Sequence, residues 1–193
     1  MDDRDAQARI DAALVERALR EGDARAFEML VRRHQGAVRA QLRYLLRNDA
    51  ATADDLAQDT FVLAWRKLEQ FRGDARFGTW LHRIAHSCFL QHLRSRGGPE
   101  KQALEVELDA LDTASDDPGA PELGLDINAA IERLSGNQRA ALLYCVQIGL
   151  SHEEAAHVLC MPLGSVKTHV ARGKAKLRSL LRDWAPETDR SDV

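Results

Sequence analysis

Apolar residues recur along this chain at three- and four-residue intervals, with few strand-favouring runs, and this spacing predicts helices. Leu14, Val15, Ala18 and Leu19 predict a first helix that stops near Gly22. Asp23 is placed to cap a long second helix through Phe27, Leu30, Val31, Val38, Leu42 and Leu45 to about Leu46. A third is expected from near Asp54 to before Gly73, with Ala57, Phe61, Ala64 and Leu68 inward and Trp65 beside them. A fourth runs from near Thr79 to Arg96 and turns Leu81, Ile84, Ala85 and Cys88 inward. After a break, helices are expected near Ile127–Leu134, Asn137–Gln147, His152–Leu159 and Pro162–Asp183.

Residues 11–96 are therefore expected to form one four-helix domain, and residues 127–183 a second, smaller helical domain. Between them, residues 97–126 hold Gly97-Gly98-Pro99, Asp116-Asp117-Pro118-Gly119 and Ala120-Pro121. Such breakers within a like-charge run predict a flexible acidic linker, in which only Gln102–Leu111 could form a short helix. The expected fold is all-α, two helical domains on a tether.

Charge sharpens this division. The net charge of −3 argues at first against a nucleic-acid binder. Residues 1–98, however, carry 17 Lys/Arg against 14 Asp/Glu, and residues 127–193 carry nine against seven. The linker carries one against nine. The acid is concentrated in the middle, between two mildly basic blocks.

The segment from Leu150 to Val170 is the most informative. Ser151 and Glu154 form a capping box that opens a short helix. A turn at Cys160-Met161 follows, and Pro162 suits the first position of the next helix. Two helices joined so tightly make a helix-turn-helix. The second has an apolar seam of Leu163, Val166, Val170, Gly173, Leu177 and Leu180. Opposite lie Ser165, Thr168 and Arg172, flanked by Lys167, His169, Lys174, Lys176 and Arg178, with no acid from Met161 to Arg182. A merely solvated face usually mixes signs to form ion pairs one turn apart. A one-signed face fits DNA, with small polar residues near the helix start at base edges and cations on phosphates.

In the first domain, Asp55, Gln58, Asp59, Val62 and Arg66 share the outer face of the third helix, which by itself reads equally as a solvated surface or a contact face. The loop Phe71–Trp80 mixes three aromatics with Arg72 and Arg76. Interleaved aromatics and cations suit a single strand, which offers stacking faces and phosphates, although Phe71 and Trp80 fit better as core. The fourth helix carries Arg83, His86, Ser87, Leu90 and Arg94 outward.

Other chemistries find little support. His82 and His86 lie one turn apart, but no acid is near them and HExxH is absent, so no metal or cofactor is expected. No Ser-His-Asp, phosphate-loop or GxSxG pattern points to an enzyme. Cys88, Cys145 and Cys160 are widely spaced without CxxC, which argues against a disulfide framework or zinc ribbon. No apolar stretch approaches the roughly 20 residues of a membrane span. The acidic segment Met1 to Asp11 lacks the apolar core of a signal peptide, so a cytoplasmic location is expected.

Three segments, in this order around a linker, resemble the extracytoplasmic-function (group 4) sigma factors. Asp55-Leu-Ala-Gln-Asp-Thr-Phe and the following residues to Phe71 are similar to the family's polymerase-binding helix. Residues 71–85, FRGDARFGTWLHRIA, are similar to its promoter-melting and −10 segment, and residues 149–181 to its −35-binding helix-turn-helix. The resemblance implies that Asp55, Gln58, Asp59, Val62 and Arg66 contact core RNA polymerase. It implies that Ser165, Lys167, Thr168 and Arg172, with His169, Lys174 and Lys176, hold the −35 element of promoter DNA. The −10 strand would run along Arg72, Arg76 and Phe77 and the fourth-helix face of Arg83, His86, Ser87, Leu90 and Arg94. One departure stands out: the family often has Asn two residues after Arg83-Ile84-Ala85, in the pocket for a flipped base, and here that position is Ser87. Family members are commonly held inactive by an anti-sigma factor that clamps both domains, which a flexible linker would permit. A helix-turn-helix regulator that never binds polymerase would leave residues 55–80 unexplained, an adaptor protein would leave the one-signed helix unexplained, and a metal hydrolase would need a third ligand.

Overall fold

The computed structural model describes residues 3–46, 49–95 and 127–181, and every regular element among them is helical. The chain runs through α1 (Asp3–Arg20), α2 (Ala24–Leu45), α3 (Ala50–Arg66), a 3₁₀ turn (Leu68–Gln70) and α4 (Phe77–Ser95). It resumes with α5 (Ile127–Glu132), α6 (Gly136–Leu142), a π-helical stretch (Leu143–Gln147), α7 (His152–Leu159) and α8 (Leu163–Leu180). The segment read as a linker, including Gln102–Leu111, lies outside the described residues.

Local chemistry sets the helix starts. Asp23 caps α2 as expected, accepting from the backbone amides of Arg25 and Ala26 at 3.0 and 3.2 Å. α3 begins four residues earlier than its apolar spacing predicts, because Asp49 accepts from the Thr52 amide at 3.2 Å and from its hydroxyl at 2.7 Å. Capping of this kind needs no apolar periodicity. Ser135 with Gln138 and Ser151 with Glu154 form reciprocal capping boxes at α6 and α7. α7 ends in a left-handed residue, Cys160 at φ 54°, which folds the chain back sharply enough for the helix-turn-helix. Pro162 stands at the N-cap of α8 with extended ψ rather than inside its first turn.

Two cores form. Leu14, Leu30, Val38, Leu42, Leu56, Ala64, Leu68, Leu81 and Ala85 build the first from α1–α4. Leu134, Ala141, Leu143, Val158, Val166 and Val170 build the second, from α6–α8 and the turn before α6. The cores are not separate bodies in this structure. Tyr44 and Leu45, at the end of α2, pack against the second core, and α4 lies along α7.

α1 extends well ahead of its apolar stretch, to Asp3, because its early turns are held by polar contacts that hydrophobic spacing does not reveal. Asp11 is buried and accepts from Arg33 Nε and His34 Nε2, each at 2.8 Å. Burial alone would raise its carboxyl, but the hydrogen bonds and charges of His34 and Arg33 outweigh it and hold the group below its usual range. A depressed carboxyl stabilises the fold above its ordinary range, and that stabilisation is lost as pH falls through the depressed value. Asp11→Asn should therefore destabilise the chain near neutrality by about 1–3 kcal/mol, leaving Arg33 and His34 poorly matched. Urea unfolding at a series of pH values checks this: the gap between wild type and variant should close in acid, and a pH-independent gap would reject the charge argument. Leu42→Ala, which empties a fully buried position, should cost about 2–5 kcal/mol in the same assay at every pH.

Candidate nucleic-acid and polymerase interfaces

The helix-turn-helix presents α8 outward. Val166, Val170 and Gly173 are buried against the rest of the second domain, while Leu163, Leu177 and Leu180 are half-buried. Gly173 permits this approach, because a Cβ there would come within 2.9 Å of Leu142 Cδ1. Lys167, Thr168, Arg172, Lys174, Lys176 and Arg178 are exposed, and Ser165 is half-buried. Thr168 donates its hydroxyl to the Gly164 carbonyl at 2.9 Å, which fixes its side chain along the helix. His169 departs from expectation: it is 5% exposed and offers no surface to DNA here. The reason is spacing, since His169 lies three residues after Val166 and four before Gly173, on the inward stripe that both of them share.

On α3, Asp55, Gln58, Asp59, Val62 and Arg66 are all exposed along one face. Neighbouring Asp54 turns instead toward α2, 3.4 Å from Arg39 and 3.5 Å from Arg43. Trp65, expected beside the core, is 42% exposed and rests on Phe27 with ring centroids 4.8 Å apart. With Val62, also exposed, it gives this otherwise acidic face an apolar component.

The loop and α4 divide. Arg72, Arg76, Arg83, Ser87 and Arg94 are exposed, and Leu90 is half-buried. Phe77, expected at the −10 strand, is buried, packed edge-on against Phe71 and beside Trp80 and His34. An aromatic committed to four-ring packing has no face left for a base. Phe71 and Trp80 are half-buried in the same cluster, as favoured from the sequence. Arg76 pairs with Asp5 of α1 at 3.0 Å.

His86 is the most consequential departure. It is 8% exposed, because the second domain covers it. Tyr144, in the π-helical stretch, is fully buried and reaches across the interface. Gln41 Nε2 donates to the Tyr144 oxygen at 2.7 Å and to the His82 carbonyl at 3.1 Å. The Tyr144 hydroxyl lies 3.1 Å from His86 Nδ1, and with its oxygen accepting from Gln41 its proton goes to that nitrogen. His82 Nδ1 in turn donates to Gln41 Oε1. Burial lowers both His82 and His86 to about 4, with His34 adding to the effect on His82. Both rings are thus neutral at pH 7, and for His86 the accepting role of Nδ1 requires it. Burial also pushes the Tyr144 phenol well up.

Further contacts cross the same seam. Thr79 donates to Glu154 at 3.2 Å, Arg83 Nη1 lies 3.1 Å from His157 Nε2, and Arg4 donates to the Gly149 carbonyl at 2.7 Å. Burial alone would raise the Glu154 carboxyl, but the Ser151 amide and Thr79 hydroxyl outweigh it and hold it below its usual value. Of these residues the sequence drew notice to His82 and His86 as an improbable metal pair, to Arg83 and His86 as −10 candidates, and to Glu154 as a capping residue; the contacts of Gln41, Tyr144 and Thr79 went unseen. Gln41 left one signal, a polar side chain between Val38 and Leu42 on an apolar stripe, which must find a partner when buried. Among the described residues, no group of three or more His, Cys, Asp or Glu is placed to hold a metal ion, and no helix is long and apolar enough to cross a membrane.

Residues 30–98 match the family model for Sigma-70 region 2, and residues 124–177 that for Sigma-70 region 4. The chain is 31% identical over 184 residues to the ECF RNA polymerase sigma-E factor of Haemophilus influenzae, covering 89% of this chain and 95% of that one. It is 34% identical over 171 residues to the ECF RNA polymerase sigma factor SigE of Mycolicibacterium smegmatis, covering 86% of this chain but 65% of that longer protein. Among solved structures it resembles the sigma factor RpoE of Bartonella quintana, crystallised with the anti-sigma factor NepR, at TM-score 0.61 and 27% identity, covering 81% of this chain and 96% of that one. A region 2 match over the domain that bears the acidic α3 face, a region 4 match over the helix-turn-helix, and full-length relatives across both place this chain in the ECF RNA polymerase sigma factor family, whose members direct RNA polymerase to promoters.

Proposed function

We propose that the chain acts by binding alone, with its work divided between its two domains. Residues 11–96 dock on core RNA polymerase through Asp55, Gln58, Asp59, Val62 and Arg66 of α3. The same domain takes the −10 strand along Arg72, Arg76, Arg83, Ser87, Leu90 and Arg94. Residues 127–183 grip the −35 duplex through Ser165, Lys167, Thr168, Arg172, Lys174 and Lys176, with residues 97–126 as the tether. His86 joins the −10 surface only when the second domain lifts from α4, whereas Phe77 and His169 act as supports for their surfaces from within the packing. Capture of an unstacked −10 base offsets the few kcal/mol of local unstacking, so melting starts at a defined point. Ser87, a shorter donor and acceptor than the family's frequent Asn, points to a −10 preference of its own.

The observation that carries this reading is the presence, in one chain, of two chemically opposite exposed faces: acidic α3 and one-signed cationic α8. A lone DNA-binding regulator has no use for the first, and a protein adaptor none for the second. The likeness to an RpoE solved with its anti-sigma factor supports an anti-sigma partner for this chain as well.

In vitro transcription with core polymerase over a promoter library tests the whole reading, and a chain that supports no initiation at any template would refute it. Asp55→Arg combined with Asp59→Arg should abolish co-purification with core polymerase, and retained binding would take the α3 face out of the contact. Arg172→Ala should weaken −35 binding and reduce the slope of log K against log salt by about one phosphate's worth. An unchanged slope would remove Arg172 from the DNA.

A further inference from the structure

From Arg4 to Ile10 no residue of α1 is buried, so apolar packing does not hold this half of the helix. Asp11 holds it instead. An ionised carboxylate can only accept, so the His34 Nε2–H donates to one oxygen at 2.8 Å while Arg33 Nε donates to the other at the same distance. That bond fixes the plane of the imidazole. The far side of the ring then meets the start of α4. His34 stands edge-on to Phe77 with centroids 5.4 Å apart, and a Cβ added at Gly78 would lie 3.4 Å from His34 Cε1. One side chain of α2 thus joins the polar half of α1 to the end of the loop assigned above to the −10 strand.

The loop, residues 72–76, depends on such support. Gly73 takes φ 77°, and an open cleft of about 480 Å³ is lined by Gly73, Asp74 and Ala75 on one side and by Ala8 and Ala12 of α1 on the other. The middle of the loop therefore has no packing toward α1. Its ends are fixed where Phe71 and Phe77 pack against each other and against Trp80. The Arg76–Asp5 pair adds a third tie, but both side chains are about half exposed, so it contributes little. Phe77 is the buried end, and the ring it leans on from α2 is His34. We infer that Asp11 and His34 form a positioning dyad for the −10 loop: Asp11 holds the His34 ring, the ring seats Phe77 and Gly78, and residues 72–76 are thereby held ready for the displaced strand. The inference rests on the promoter-binding reading for what the loop takes, but not for how the loop is held. Neither residue need touch DNA. A loop ordered beforehand is not ordered at the expense of the strand it captures, so more of the capture free energy goes into keeping the bases unpaired. Arg33 separates this role from simple docking of α1, because its guanidinium goes to Asp11 and Gln7 of α1, whereas His34 reaches both α1 and Phe77.

Holding and opening can be measured separately on the full chain. Backbone amide exchange over residues 72–78 reads the first, with the amides of Val38–Leu42 in the α2 core as the reference for global unfolding. The second is read with core RNA polymerase, as initiation from a duplex promoter relative to the same promoter carrying a mismatched, already open −10 region. A general loss of stability lowers initiation on both templates and cancels in that ratio. His34→Phe keeps a ring and loses the donor, Asp11→Ala frees the ring, and Arg33→Met weakens the docking of α1 while leaving the bond from His34 to Asp11. His34→Phe and Asp11→Ala should each speed exchange over 72–78 about tenfold, the size of one charge-assisted hydrogen bond, and lower the duplex-to-open ratio by about as much. The double variant should lose no more than the larger single, since both act through one bond. Arg33→Met should leave loop exchange and ratio at the wild-type level. Loop exchange unchanged in both dyad variants would overturn the holding. Faster exchange with an unchanged ratio would overturn the part in opening, and Arg33→Met matching Asp11→Ala in both would reduce the dyad to a helix dock and overturn the proposal. Initiation by wild type on neither template would instead refute the promoter reading, with exchange still deciding whether the dyad holds the loop.

Discussion

The arrangement of this molecule turns on a phenol hydroxyl that has no access to water. Tyr144 belongs to the second domain's core by its ring and to the first domain's polar socket by its oxygen. A buried hydroxyl without partners would be expensive, so the two domains are either docked in a register that satisfies it or far enough apart for water to do so. Intermediate slips are disfavoured. That selectivity, rather than buried apolar area, makes the docked arrangement a defined state, since apolar contacts of Tyr44 and Leu45 alone would tolerate sliding.

Around this point, the charged surfaces are placed so that closure does not bury their most costly members. The cations of α8 and the carboxylates of α3 stay in water, where a charge carries no desolvation penalty. What closure does bury are neutral groups: two imidazoles lowered to about 4 by burial, an amide and a phenol. The rim of the seam carries the charged partners Glu154 and Arg83, where solvent screens them and each contributes modestly. Specificity at the centre and weak charge pairing at the edge is the organisation found in complexes that form and dissociate.

Much of this fold was legible because helices announce themselves through spacing and caps. Asp23 before the α2 stripe, the Ser151–Glu154 box and the Leu163–Leu180 seam each specify local structure within a few residues. The exposed side of α3 was legible for the same reason, since Ala57, Ala64 and Leu68 turn inward and fix where Asp55 and Asp59 point. Less visible were features that depend on contacts distant in sequence. α1 begins at Asp3 because of partners such as Arg33, Arg76 and Gly149, none of them recoverable from periodicity. His169 was misplaced although its spacing was available, because residue type was allowed to outrank position in the stripe. His86 could not have been placed at all: its own helix turns it outward, and only the docking of another domain, 58 residues on at Tyr144, makes it interior.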